Sequence, residues 1–199
     1  MNTYHTITPE TLERAVERLS RNAVTEGFTK LEAVHSYKDR NNKDLYHRIR
    51  RKDVNGNKWI RPIYLSATGQ YSFGEPPEVK DLPKPLYELP LISQCKEAIV
   101  YVLEGEWPVD WLNKFFFDHH VSQKYIAITS GSATSAVGAD WQPLAGRTCV
   151  LWADNDEPGQ KYITQVSEIL INLGCSIQHI NVVALQLRQG GDCVDWLRQ

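Results

Sequence analysis

Hydrophobic and polar positions follow three different rhythms along the chain, and the first of them predicts a helix. Apolar side chains near the start recur at spacings of four and three, at Leu12, Val16 and Leu19. This spacing places them on one face of a helix. Thr8 and Pro9 precede them as a capping residue and a first-turn proline, so the sequence predicts a helix over residues 8–21.

Alternation of apolar and polar residues begins after Gly27 and predicts short strands. It runs through three stretches, residues 31–39, 45–53 and 58–65. Asn41-Asn42 and Asn55-Gly56 separate these stretches, and Asn-Gly between alternating segments is a strong hairpin signal. The sequence therefore predicts a small antiparallel β unit.

Residues 66–90 have no steady period and contain half of the ten prolines. Such a composition is typical of a linker, or of a loop that lies on a neighbouring unit. We therefore predict two domains, residues 1–90 and residues 91–199, with the boundary near Leu91.

Beyond Leu91, apolar strands alternate with amphipathic helices. Four strands are predicted, at residues 98–103, 125–129, 148–153 and 176–185. One amphipathic helix follows Pro108, and a second follows Pro158 and ends at Gly174. Strands that are apolar throughout and alternate with helices indicate a parallel sheet covered on both faces. The predicted fold class is therefore α/β, with a parallel sheet flanked by helices and preceded by a small basic α+β unit.

The amino-acid composition limits the cellular compartment and the kinds of binding partner that we expect for this chain. With 42% hydrophobic and 10% aromatic residues, the chain has the composition of a globular protein. Its longest clean apolar run, residues 98–103, is far shorter than the ~20 residues that cross a bilayer. The first residues lack the pattern of a secretory signal. We therefore expect a cytoplasmic protein with no membrane partner.

The net charge of −2 hides an uneven distribution of charged residues. Residues 28–65 contain ten basic and four acidic residues, whereas residues 95–199 contain seven basic and twelve acidic ones. In the first segment, basic side chains interleave with Tyr46, Trp59 and Tyr64, a mixture typical of nucleic-acid-binding surfaces. The predicted nucleic-acid and nucleotide ligands are Arg48, Arg50, Arg51, Lys52, Lys58 and Arg61. A solvated hairpin with no specific role is the alternative.

Acidic residues follow three of the four predicted parallel strands. They are Glu104 after the first strand, Asp154 and Asp156 after the third, and Asp192 after the fourth. Because ligands bind at the carboxyl ends of parallel strands, we expect these side chains to meet at one edge. Carboxylates at close range repel one another unless cations hold them, and hard oxygen ligands suit Mg²⁺ or Mn²⁺ with a phosphate-bearing substrate. Asp192 is equally consistent with a helix N-cap.

An apolar strand that ends in Glu-Gly, followed by one that ends in Asp-x-Asp-x-x-Gly, resembles a Toprim domain. The similar segments are YVLEGE (101–106), TSGSATSA (129–136), VLWADNDEPG (150–159) and GGDCVDWL (190–197). They resemble in particular the Toprim domains of DNA primases and primase-helicases of phages, plasmids and related mobile elements. The likeness covers about residues 92–197, and residues 37–91 are similar to the segment that precedes Toprim in those proteins.

The resemblance implies roles for the acidic residues. Glu104 matches the Toprim glutamate, which is implicated in acid–base work or metal binding, and Asp154 and Asp156 match the metal-ligating pair. Asp192 matches a third acidic position of primases. Pro108 is a departure from the pattern, because bacterial primases carry another acid there, four residues after the glutamate.

The resemblance implies metal-dependent nucleotidyl transfer: primer synthesis from nucleoside triphosphates on single-stranded DNA, as the primase part of a replication protein. The implied cofactor is Mg²⁺ or Mn²⁺. A helicase domain or subunit is an implied partner, and the chain itself has no P-loop. The same acids are compatible with a metal-dependent nuclease. Four scattered cysteines form no CxxC pair, so the zinc ribbon of many primases is missing and a nucleic-acid-binding module that is inactive alone is a further alternative.

Overall fold

Two units, each with its own four-stranded sheet, make up the computed structural model, which describes residues 9–199. The first unit contains the residues up to Tyr37 together with Asp44–Leu82. The second unit contains Lys38–Lys43 and Pro83–Gln199. Each unit is described by itself below.

The first unit begins with two helices, α1 (Leu12–Leu19) and α2 (Arg21–Thr25). The hydroxyl of Thr11 accepts a hydrogen bond from the backbone N–H of Arg14 (3.4 Å), so Thr11 is the capping residue of α1. The helix therefore starts later than the sequence predicts. The predicted capping residue, Thr8, lies outside the described residues.

Four strands form the sheet of the first unit, in the order β1-β2-β3-β4. They are β1 (Lys30–Lys38), β2 (Asp44–Lys52), β3 (Lys58–Leu65) and β4 (Tyr71–Phe73). Strand β3 is antiparallel to both β2 and β4, which confirms the predicted antiparallel unit. Ile49 and Ile63 pack against Ala15 and Val16 of α1, because alternate residues of the strands face that helix. Strand β4 was not predicted, since only three residues form it.

Two short helices follow, α3 (Pro77–Lys80) at the end of the first unit and α4 (Leu89–Gln94) in the second. The strands of the second unit are β5 (Ile99–Val102), β6 (Tyr125–Ile128), β7 (Thr148–Leu151) and β8 (Ser176–His179). Its longer helices are α5 (Glu106–Asp118) and α6 (Glu157–Asn172), and a short helix, α7 (Cys193–Leu197), follows them. Within residues 9–199, no helix has the length and apolar character that crossing a membrane requires.

The strands of the second unit pair in parallel, in the order β6-β5-β7-β8. The predicted α/β fold, a parallel sheet flanked by helices and preceded by a smaller antiparallel unit, is confirmed. Strand β8 ends earlier than predicted, because Asn181 and Val182 accept turn hydrogen bonds from Ala184 and Leu185.

Helices cover both faces of the parallel sheet. On one face, Val100 and Leu151 belong to the same buried cluster as Val166 of α6. On the other face, Tyr101 packs against Phe116 of α5, with ring centroids 5.3 Å apart. The connections through α5 and α6 leave the centre of the sheet in opposite directions. Because connections between parallel strands are right-handed, the two helices then lie on opposite faces of the sheet.

The proline-rich segment is attached to the second unit by main-chain hydrogen bonds. The N–H of Tyr87 donates to the carbonyl of Thr129 (2.8 Å), and the N–H of Lys84 donates to the loop after β6 (2.8 Å). From Pro83 onward this segment belongs to the second unit, whereas the sequence predicts the boundary near Leu91.

Glu10 joins the start of α1 to β4. Its carboxylate accepts hydrogen bonds from Arg18 Nε and Nη2 (2.8 and 2.7 Å) and from the backbone N–H of Tyr71 (2.9 Å). The bonds from Arg18, and then the bond from Tyr71, lower the pKa of Glu10 from 4.5 to about 2.

Low pH should weaken the hydrogen bonds that the Glu10 carboxylate accepts from Arg18 and Tyr71. Because the pKa of Glu10 is lower in the folded chain, its contribution to stability is complete above pH 4.5 and is lost as the pH falls towards 2. The protection of the Tyr71 amide against hydrogen exchange, corrected for the intrinsic rate, should therefore fall between about pH 5 and about pH 2. In Glu10→Gln, protection should be weaker and nearly independent of pH over this range. The same pH dependence in both proteins would contradict the assignment.

Candidate active site

The connections from the two central strands of the parallel sheet leave in opposite directions, and this places the two loops that follow these strands side by side. Strand β5 leads through α5 to β6 on one side, and β7 leads through α6 to β8 on the other. Neighbouring strands whose connections depart in opposite directions leave a crevice between their carboxyl ends, where ligands of open α/β sheets bind. The predicted site residues Glu104 and Asp154 follow these two strands.

Glu104 and Asp154 lie at adjacent strand ends. Val102 of β5 pairs with Leu151 of β7, and the N–H of Trp152 donates to the carbonyl of Val102 (3.0 Å). Each acid comes two or three residues beyond this last pairing. Glu104 Oε2 is buried, so this carboxylate lies at the border of the protein interior.

Asp156 starts α6 and turns the chain beside Asp154. Its Oδ1 accepts a hydrogen bond from the N–H of Gly159 (2.8 Å), which makes it the N-cap of α6. The main chain of Gly159 packs directly on Asp154. A Cβ atom at position 159 would lie 2.8 Å from the Asp154 carbonyl oxygen and 2.9 Å from its nitrogen. Glycine is therefore required here, and the close contact fixes the backbone of Asp154.

Asn155 holds the loop after β7 to the loop before α7. Its N–H donates to the carbonyl of Gly191 (2.8 Å), and its carbonyl accepts from the N–H of Gly190 (2.9 Å). Its side-chain amide donates to the carbonyl of Leu187 (2.8 Å), 32 residues away in the chain. The sequence analysis missed Asn155, because nothing near it in the chain indicates so distant a partner.

Asp192 is the N-cap of α7. Its Oδ1 accepts the N–H groups of Val194 and Asp195 (2.8 and 3.1 Å), while Asp195 Oδ2 accepts the N–H of Asp192 (3.3 Å). This reciprocal capping box confirms the N-cap interpretation. Burial raises the pKa of the Cys193 thiol, and the charges of Asp192 and Asp154 raise it further.

Tyr162 of α6 ties together the ends of β5 and β6. Its side chain is fully buried, its hydroxyl lies 2.8 Å from Ser130 Oγ, and it donates to the carbonyl of Leu103 (3.3 Å). Burial raises the pKa of Tyr162 more than hydrogen bonding to Ser130 lowers it, and the charge of Glu104 raises it further. The phenol therefore stays protonated close to that carboxylate. The sequence shows Tyr162 only as a position on an amphipathic helix, so this contact was missed.

The oxygen ligands at the crevice suit a divalent cation in their chemical type. In the described part of the chain, no three Asp, Glu, His or Cys side chains are arranged closely enough to hold a metal ion. Mg²⁺ commonly takes only one or two protein carboxylates and completes its shell with water and substrate phosphates. One or two of the carboxylates of Glu104, Asp154 and Asp156 would be enough for an open site of that kind, and the described residues form no closed protein cage.

Two grooves flank the first turn of α6. The first, about 440 Å³, is lined by the loop after β6, including Thr134, and by Lys161 of α6. The second, about 390 Å³, is lined by Asp156, Gln160 and residues after β8, including Asn181. Both volumes fall in the range of small-ligand sites.

Three of the six predicted nucleic-acid ligands, Arg50, Arg51 and Lys52, make side-chain hydrogen bonds or ion pairs with residues of β1 and of the helices and loop before it. Arg51 is 8% exposed and donates to Ser20 Oγ (2.9 Å) and to two main-chain carbonyls (3.4 and 3.0 Å). These hydrogen bonds give Arg51 a structural role in the first unit, and little of its side chain is exposed for contact with a nucleic acid. Arg50 and Lys52 contact the carboxylate of Glu32 (3.0 and 3.4 Å). Burial alone would raise the pKa of Glu32, but these two cations lower it.

The other three predicted ligands are more accessible. Lys58 and Arg61 are exposed, and Arg48 is half-buried. The guanidinium of Arg48 lies 5.0 Å from the ring centroid of Tyr37, and that of Arg61 lies 5.5 Å from the ring of Trp59. Cations held beside aromatic rings suit single-stranded nucleic acid. Binding by these three residues stays a prediction.

Comparisons with known proteins give structural similarity alone. The chain matches no protein-family model, and no curated protein matches its sequence. Its structure is similar to the zinc-binding and RNA polymerase domains of the Aquifex aeolicus primase, with a TM-score of 0.53 and 14% identity, over 96% of this chain and 47% of that one. It is also similar to the primase fragment of the bacteriophage T7 primase-helicase protein, with a TM-score of 0.49 and 15% identity, over 81% of this chain and 56% of that one. The chain thus spans about half the length of these structures, and the first similarity shows a shared fold.

Removal of the Tyr162 hydroxyl should destabilise the second unit. Tyr162→Phe leaves the buried Ser130 hydroxyl and Leu103 carbonyl without this partner, so we expect a loss of about 1–2 kcal/mol in the free energy of unfolding. Chemical denaturation measures this loss. The control is Tyr125→Phe, because the Tyr125 hydroxyl makes no hydrogen bond among the described residues. Equal losses in the two variants would contradict the role given to Tyr162.

The contact between Gly159 and Asp154 gives a second stability prediction. Alanine is favoured over glycine inside a helix by about 1 kcal/mol, yet Gly159→Ala should lower the melting temperature by several degrees, because its Cβ forces the Asp154 backbone to move. Gly138→Ala is the control, since the nearest atom to its Cβ, Ser135 O, is 4.0 Å away. A melting temperature for Gly159→Ala at or above that of the wild type would contradict this account.

Proposed function

We propose that this chain synthesises primers, joining nucleotides from nucleoside triphosphates on a single-stranded DNA template, with the second unit as a Toprim domain. One observation carries the proposal: the loops that contain Glu104 and residues 154–156 meet at the crevice between β5 and β7. The fold shared with the Aquifex aeolicus primase structure supports the same class of function.

The reaction is an in-line attack of a 3′-hydroxyl on the α-phosphate of the incoming nucleotide, with release of pyrophosphate. Glu104, at the end of β5, would accept the proton of the attacking hydroxyl. The main chain of Asp154 is fixed by its contact with Gly159, so its carboxylate would be oriented before the substrate binds. Preorganised groups of this kind lower the entropic cost of reaching the reactive geometry.

The acidic residues supply the ligands for a cation. One or two of the carboxylates of Glu104, Asp154, Asp156 and Asp192 would hold Mg²⁺ or Mn²⁺, beside water and substrate phosphates. Asp192 caps α7 through Oδ1. A divalent ion bound there lowers the pKa of the attacking hydroxyl and offsets charge that develops on the phosphate. Repulsion among neighbouring carboxylates is the physical reason to expect a cation at this edge.

Other features suit the proposed substrates and partners. Lys161 lines the larger groove beside α6, and its ammonium group would contact a nucleotide phosphate. Arg48, Lys58 and Arg61 of the first unit would contact the phosphate backbone of the template. A helicase domain or subunit would supply unwound DNA, since this chain has no P-loop.

Asp154→Asn tests the proposal. The protein is incubated with single-stranded DNA, labelled nucleoside triphosphates and Mg²⁺ or Mn²⁺, and the labelled oligonucleotides are counted. Loss of one electrostatic group at a reacting centre should reduce product by about 100-fold or more. Equal product from wild type and variant, or none from wild type, would contradict primer synthesis. Metal-dependent shortening of labelled DNA that needs Asp154 would instead favour the nuclease alternative.

Asp118→Asn is the matched control for this experiment. Asp118 is an exposed carboxylate at the far end of α5, paired with Lys114 (2.7 Å). The variant removes the same charge from the same unit, so it should make as much primer as the wild type. An equal loss in both variants would show that net charge, and not the position of Asp154, sets the activity.

A further inference from the structure

Two contacts with tryptophan rings lie where α7 packs against α5. Their members are Trp111, Trp152, Trp196 and Arg198, and we call them together the α5–α7 surface. Helix α7 begins after Asp192, one of the acids that follow the parallel strands, and we call the strand ends followed by Glu104, Asp154 and Asp192 the acidic edge. The rings of Trp152 and Trp196 meet edge to face, with centroids 5.7 Å apart. The guanidinium carbon of Arg198 lies 4.6 Å from the ring centroid of Trp111. None of these side chains has a part in the proposed chemistry.

Two features distinguish this cluster from ordinary core packing. Trp196 is 40% exposed although its side chain is large and mostly apolar. Trp152 is only 5% exposed, and its indole N–H has no hydrogen-bond acceptor among the described residues. A buried donor without an acceptor is destabilising. The exposed ring of Trp196 and the buried N–H of Trp152 are therefore not explained by the stability of the fold alone.

The α5–α7 surface lies close to the acids in the chain. Trp152 precedes Asp154 by two residues. Trp196 follows Asp192 by four, which is about 6 Å along a helix axis. A nucleic-acid strand advances about 3.4 Å for each stacked base. A strand with its end at the acids would therefore have its next bases within reach of the exposed ring of Trp196.

We propose that the α5–α7 surface stacks the bases of a single-stranded nucleic acid whose end lies at the acidic edge. This inference rests on the proposed function and adds a path for the strand beyond the acids. Indole rings stack on bases of any sequence, and a guanidinium beside them adds attraction. Arg198 forms no ion pair among residues 9–199, whereas the neighbouring Arg188 is paired with Asp195 (3.5 Å).

The test measures binding of a short fluorescent oligothymidylate by anisotropy, in EDTA and without nucleotides. Trp196→Ala should bind about tenfold more weakly than the wild type, because one stacked base is lost. Trp196→Phe, which keeps an aromatic ring, should recover most of the affinity. An abasic oligonucleotide of the same length has the phosphates but no bases, so Trp196→Ala should bind it as the wild type does.

Two further variants control for folding and for general loss of aromatic surface. Phe117→Ala removes a ring that is 71% exposed near the far end of α5, and it should bind as the wild type does. Arg198→Ala, which keeps every tryptophan, should weaken binding about threefold. This second variant keeps the inference testable if Trp196→Ala does not fold.

Three results would overturn the inference: no binding by the wild type, equal binding by wild type and Trp196→Ala, or an equal loss on the abasic strand. Equal binding would show that the ring of Trp196 does not stack on the bases. Primer synthesis is measured separately, so the two proposals fail independently. If the wild type makes no primer but the Trp196 effect persists, only the proposed function fails. If primer is made and the effect is absent, only the stacking surface fails.

Discussion

The parallel pairing of β5 with β7 is the constraint on which the second unit depends. Strand β6 lies beside β5 and strand β8 lies beside β7, on opposite sides of this pair. The connections through α5 and α6 therefore lead away from the pair in opposite directions. The carboxyl ends of the central strands are therefore left without a covering connection. Glu104 and Asp154 lie at those ends, and each is the first acidic residue after its strand.

Polar contacts hold the loops at this crevice in place. Tyr162 joins the ends of β5 and β6, and Asn155 joins the loop after β7 to the loop before α7. Asp156 and Asp192 cap the helices that start there. Because these contacts use backbone groups that would otherwise lack partners, they fix the loops at little cost. A ligand that binds at the edge then loses less affinity to the ordering of side chains.

The sequence predicts those parts of the structure that leave a local pattern. The antiparallel unit and the α/β unit were predicted in the right order, because hydrophobic periodicity and turn residues are local signals. The same signals put Glu104 and Asp154 directly after strands, where the structure has them. Arg51 was grouped with the nucleic-acid ligands because its charge is visible and its partner is not: Ser20 lies 31 residues away. Tyr162 and Asn155 were missed for the same reason. Strand β8 was predicted too long because the apolar residues after it form a turn.

Whether Glu104 and Asp154 bind one and the same ion is the central claim, and Mn²⁺ titration followed by electron paramagnetic resonance tests it most directly. The measurement compares wild type, Glu104→Gln, Asp154→Asn and the double variant. Two ligands of one ion act as a unit, so the double variant should lose little more affinity than either single one. Losses that add in full, or Mn²⁺ affinity that none of the substitutions changes, would show that the two carboxylates do not share a cation.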